Sequence, residues 1–153
     1  MARVNKVGHV VLNVRDLDAS IKFYTEGLGM ELMSRNQERH MAFLSFGIQH
    51  HDIALFRAPE GAERGELGLN HIAMQIEGGE AELRQVYGRV VNAGARIDRT
   101  TDHGLTRSVY FFDPDGNRLE IFSEVMDPEA GRKYMREGVN LTDRSYKPEP
   151  ILA

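Results

Sequence analysis

The residues with the most obvious chemical capacity are His9, His51, His71 and Glu120. Imidazole and carboxylate can hold a divalent ion without sulfur. Thiolate sulfur is excluded here, because the chain has no cysteine and therefore no thiolate site, thiol nucleophile or disulfide. Two neutral imidazoles and one carboxylate on one face of an ion form a facial triad, which leaves positions open for a substrate and O2. His9, His71 and Glu120 supply that set, which suits Fe(II), Mn(II), Ni(II) or Zn(II). A lone histidine opening a strand is more often a hydrogen-bonded structural residue than a ligand. The case for ligation rests on how these residues are spaced.

The spacing comes from an internal repeat. Gly8-His9-Val10-Val11-Leu12-Asn13-Val14 matches Asn70-His71-Ile72-Ala73-Met74-Gln75-Ile76. Both alternate with the period of two that gives a strand unlike faces. Val10, Leu12 and Val14, like Ile72, Met74 and Ile76, form an apolar face that should meet a helix. The opposite face begins with a histidine in both copies. A helix follows each strand. In the first, Asp16 or Asp18 can cap, Ile21, Tyr24 and Leu28 form the stripe, and Gly27 and Gly29 end it. In the second, Leu83, Val86, Tyr87 and Val90 form the stripe and Gly94 follows. Three more strand-like runs complete each copy, the last two forming a hairpin around a glycine. Each copy therefore reads β-α-β-β-β.

Glu120 follows Gly116 by four residues and His51 follows Gly47 by four, so the repeat pairs His51 with Glu120 and His9 with His71. Copies packed about a pseudo-twofold axis would bring all four side chains to one cavity. Arg118 shares a face with Glu120, so a surface ion-pair strand is the alternative reading. Met30, Met33, Met41 and Met74 read as core filler. The expected architecture is α+β: two tandem βαβββ modules forming a cupped mixed sheet around a metal site, plus a C-terminal tail. Module one spans 4–57, a linker 58–68, module two 69–125 and the tail 126–153, within a single domain 1–153. A short helix is expected over Pro128–Arg136.

The 153 residues suffice for one domain with a core, and 41% apolar with 27% charged residues is a globular composition. A net charge of -4 gives no field to gather nucleic acid or an anionic membrane surface. Apolar runs are strand-sized, so no membrane span is expected. The N-terminus lacks an apolar signal core, and a cytoplasmic location is expected.

Paired β-α-β-β-β modules with His, His and Glu at these positions resemble the vicinal oxygen chelate superfamily. It includes glyoxalase I, fosfomycin- and bleomycin-resistance proteins, methylmalonyl-CoA epimerase and type I extradiol dioxygenases. The resemblance covers residues 4 to 125. The run from Thr101-Asp102-His103 through Tyr110-Phe111-Phe112-Asp113-Pro114-Asp115-Gly116 to Glu120 is similar to the extradiol ring-cleavage signature. The Asp-Pro-x-Gly turn before Glu is common across the superfamily; His103 and Tyr110 favour the dioxygenases. His50-His51-Asp52-Ile53-Ala54-Leu55 resembles their paired-histidine strand, whose second histidine does acid–base work.

The resemblance implies an Fe(II) enzyme, Mn(II) being the other candidate, that opens a catechol ring with O2. His9, His71 and Glu120 would be the ligands and His51 the acid–base group. Tyr110 would hydrogen-bond the deprotonated catechol oxygen, and His103 would line the pocket as a donor. Many such enzymes have two double-module domains and this chain has one, so a tail or partner subunit must complete the wall, and a homo-oligomer is expected. One rival is a glyoxalase- or epimerase-like lyase or isomerase using Ni(II) or Zn(II), with His51 as a fourth ligand where relatives usually carry a carboxylate base. The other is a metal-free drug-binding resistance protein.

Overall fold

The computed structural model describes residues 7–64, 69–136 and 144–152. The start of module one at 4–6, part of the linker and part of the tail lie outside the described residues. The chain divides into two compact units, Met1–Glu66 and Leu67–Ala153, each with its own mixed sheet and helices, an α+β arrangement. Among the described residues, no helix is long and apolar enough to cross a membrane.

In the first unit β1 (Val10–Val14) leads into α1 (Leu17–Lys22). β2 (Glu31–Asn36), β3 (Met41–Ser45) and β4 (Ile53–Arg57) follow. Asp16 starts the helix: its carboxylate accepts from the Ala19 N–H at 3.0 Å, satisfying an open donor of the first turn. The helix continues as a π-helical turn, Phe23–Gly27, and the chain reverses at Gly29, whose φ of 71° favours glycine. Leu17, Phe23, Tyr24 and Leu28 are buried on the helical segment, and Leu12, Val14, Leu44 and Leu55 on the sheet. The strand order is β1-β4-β3-β2, with β1 parallel to β4. Met30 and Met74 are buried as expected. Met33 is not core filler: it lies exposed at a register shift between Leu32 and Ser34 of the edge strand.

The second unit repeats the plan: β5 (Ile72–Gln75), α2 (Glu80–Asn92), β6 (Arg96–Asp102), β7 (Thr106–Phe112) and β8 (Arg118–Glu124). α3 (Pro128–Arg136) and the short β9 (Arg144–Ser145) follow, and the order is β5-β8-β7-β6-β9. Leu83 and Val90 of α2 are buried, as are Val109, Phe111, Leu119 and Ile121 of the sheet. The described end of the tail, residues 144–152, packs on the same unit. β9 pairs with β6 at Thr101 and Asp102, and the Thr100 hydroxyl donates to the Tyr146 carbonyl. The chain then crosses α2, where Ile151 N–H donates to the Arg84 carbonyl at 3.0 Å and Arg84 Nε to the Glu149 carbonyl at 2.8 Å. A Cβ on Gly88 would come within 1.9 Å of the Ile151 carbonyl oxygen, so only glycine seats the tail this closely.

The two registers define the repeat. Val10 pairs with Ile53 and Ile72 with Leu119, so His9 and His71 precede equivalent strands. The same registers superpose Ala54, not His51, on Glu120. They also place Phe43 where the second unit has Tyr110, and Ser34 where it has Arg99. The glycines misalign the copies because they occupy opposite ends of the turns. Gly47 closely follows β3, whereas Gly116 closely precedes β8. His50 and His51 therefore sit in the loop before β4, not on the strand.

Candidate active site

In the first unit the loop carrying His51 is braced from several sides. The Ser45 hydroxyl donates to the Gln49 carbonyl at 2.6 Å, the Phe46 N–H to Asp52 at 2.8 Å, and Gln49 Nε2 to Asp52 at 2.5 Å. This holds the His51 ring 4.5 Å from that of His9, with the edge of Phe43 5.2 Å away. His50 is exposed, yet its Nδ1 lies 2.5 Å from Nδ1 of His51, close enough for one ring to donate to the other. Burial pushes the pKa of His51 below its ordinary value. The charges of His50 and His9 add to this and Asp52 opposes it, so His51 is held toward its neutral form.

The second unit gathers the rest. A tight turn delivers β8: Asp113 accepts from the Asn117 N–H at 2.8 Å and the Asp115 N–H at 2.9 Å, and Asn117 Nδ2 donates to it at 2.7 Å. Gly116 takes a φ of 79° there. β8 then presents Glu120, which is only 6% exposed, so it is not part of a surface ion-pair strand. Its Oε2 lies 3.1 Å from Nε2 of His71. Tyr110, the cross-strand partner of Glu120, brings its ring 5.6 Å from His71, and its hydroxyl lies 3.0 Å from His103 Nε2. Burial raises the Tyr110 pKa, the charge of Glu120 adds to this and Arg99 opposes it, so the phenol keeps its proton. His103 stands in the β6–β7 turn, fixed by its N–H donating to the Thr106 carbonyl at 2.9 Å.

Sequence reasoning missed Asn70. Its Oδ1 lies 2.7 Å from His71 Nδ1, which assigns the imidazole proton to Nδ1. Nε2 is then a lone pair facing a carboxylate oxygen, an arrangement that calls for a cation between them or an added proton on one. Two ligands bonded cis to one ion at ~2.1 Å lie roughly 3 Å apart, so the His71–Glu120 pair fits a divalent ion. Arg118 closes the network, donating to Asp98 at 2.7 and 3.0 Å and reaching Asn70 at 3.5 Å. The signal was the position of Asn70 beside His71, where the first copy has Gly8. Among the described residues, no three His, Asp or Glu side chains gather closely enough to hold an ion. The structure brings together His9 with His51, and His71 with Glu120, Tyr110 and His103.

A model of the glyoxalase/bleomycin resistance protein/dioxygenase superfamily matches residues 6–121. The chain belongs to that superfamily. Biphenyl-2,3-diol 1,2-dioxygenase 3 of Rhodococcus globerulus is 32% identical over 143 residues, covering 90% of this chain and 74% of the relative. Lactoylglutathione lyase of Escherichia coli O157:H7 is 33% identical over 134 residues, covering 81% of this chain and 94% of the relative. Among solved structures, a glyoxalase-related enzyme from Fulvimarina pelagi is similar at a TM-score of 0.64 and 27% identity, covering 79% of this chain and 89% of that one. The fosfomycin resistance protein FosX of Listeria monocytogenes, solved with Mn(II), shares the fold at a TM-score of 0.66 and 22% identity, with 88% and 99% covered. Superfamily relatives at this distance thus include both dioxygenases and lyases.

Proposed function

We propose that the protein is an Fe(II)-dependent extradiol dioxygenase that opens a catechol-type ring beside its two hydroxyls, using O2. His9, His71 and Glu120 would hold the ion; Mn(II) is the alternative metal. When bound, the ion supplies a Lewis-acidic centre at which the diol and O2 exchange electrons. The chain's own residues handle the protons. His51, held toward neutrality, accepts a proton from a diol hydroxyl and later returns it. With its proton on Nε2, 3.0 Å from the Tyr110 oxygen, His103 would donate to that oxygen and free the phenol proton for the deprotonated diol oxygen.

The observation that supports this reading is the juxtaposition, in one module, of His71 and Glu120 with Tyr110 and His103. The kinship with a biphenyl-2,3-diol dioxygenase supports it. A lyase reading also draws on kinship. That reading calls for a second carboxylate base from module one, and the counterpart of Glu120 there is Ala54. Protein loaded with Fe(II) without oxygen, given catechol, 3-methylcatechol or 2,3-dihydroxybiphenyl and then exposed to air, should form a yellow ring-fission product. Absence of colour with all three, together with methylglyoxal–thiol isomerisation under Ni(II), would favour the lyase.

A further inference from the structure

We propose that the aromatic diol carries a carboxylate and that Arg99 receives it, an inference that rests on the ring-cleavage reading of the same site. Ala73, Glu120, Tyr110 and Arg99 are successive cross-strand partners on β5, β8, β7 and β6, so their side chains share one face. Strands lie ~4.8 Å apart, which puts the Arg99 backbone roughly 10 Å from that of Glu120. Its side chain folds back over Tyr110, with the guanidinium 4.9 Å from the ring centre. A ring anchored at Glu120 and flanked by Tyr110 would present its substituent toward this cation.

A β-bulge puts the cation there. Ile97 pairs with Phe111, so unbroken alternation would set Asp98 opposite Tyr110. The register shift between Ile97 and Arg99 sets Arg99 there instead. The displaced Asp98 is taken up by Arg118, which donates to it through Nε and Nη2. Arg118 also stands over Tyr110, at 4.7 Å, but its charge is matched. Among the described residues Arg99 makes no ion pair. The first module has Ser34 at the equivalent place, so the cation is not inherited from the repeat. A planar guanidinium fork matches a carboxylate through two parallel hydrogen bonds.

The test compares 3,4-dihydroxybenzoate with its neutral analogue 4-methylcatechol. Turnover by the Fe(II)-loaded enzyme should favour the acid, and Arg99→Gln should lower the ratio of the two kcat/KM values by about 10- to 100-fold, the loss of one charge-assisted pair. Arg99→Lys should restore part of that ratio. Calorimetric titration of the Zn(II)-loaded protein with 3,4-dihydroxybenzoate gives a readout free of turnover, and Arg99→Gln should weaken this binding by a similar factor. Ring fission of both compounds with a ratio unmoved by Arg99→Gln would overturn the carboxylate site and leave the dioxygenase reading standing. Arg99-dependent binding without fission of any diol would support the anion site and overturn the ring-cleavage reading.

Discussion

The hydrogen bond between His71 and Asn70 decides which imidazole nitrogen faces Glu120. An imidazole left to choose its tautomer spends part of its time with a proton on the ligating nitrogen, which weakens metal affinity. Asn70→Ala should lower Fe(II) affinity by roughly 10- to 100-fold, the usual effect of removing such a partner, without changing the number of ions bound. Titration of the apoprotein with Fe(II) under anaerobic conditions measures it. At this scale the candidate ligands were legible, because histidine types and strand phase are both written in the chain. Their supports were not. Asn70, Asp98 and Arg118 are ordinary polar residues, and only the folded register brings Asp98, Arg118 and Asn70 into one line. The acid–base role proposed for His51 comes from the resemblance, and its supposed equivalence to Glu120 was not sound. Glycine position is a poor ruler when a turn in one copy is built differently from its counterpart.

Elements set the next level. The strand–helix–strand order could be read from alternation and caps, whereas the path of the tail could not, since the polar stretch 138–153 with its two prolines specifies no partner by itself. Its seat at Gly88 yields a prediction with a change of sign. Gly88→Ala should lower the melting temperature of the full chain, because the new methyl meets the Ile151 carbonyl and the tail must shift, a cost of about 1–3 kcal/mol. In a chain ending before Arg144 the same change should be neutral or stabilising by up to about 1 kcal/mol, since alanine is the better helix former. Thermal melts of the four proteins decide it. The start of α2 gives a pH-dependent case. Glu82 accepts from the Gly79 N–H at 2.9 Å, and this bond lowers its pKa in the folded state. A lowered carboxylate pKa stabilises the fold above the unfolded value, and the contribution disappears as pH falls through the folded one. Glu82→Ala should therefore melt below wild type at neutral pH, and the gap should close in acid.

At the scale of the whole molecule, the duplicated architecture was legible because each half repeats the same strand phase. What each half does with that plan was not. The row Val11, Ala54, Phe43 and Ser34 of the first unit is mostly apolar, whereas the matching row Ala73, Glu120, Tyr110 and Arg99 of the second carries charge and a phenol. The halves differ in what they place together: the second sets His71 beside Glu120 and Tyr110, and the first sets His9 beside His51. The proposed metal centre requires His9 to join His71 and Glu120 around a single ion. Anaerobic Fe(II) titration of wild type and of His9→Ala tests this most directly. One ion per chain in wild type and affinity reduced by several orders of magnitude in His9→Ala is the predicted result. Wild-type affinity in His9→Ala would contradict it.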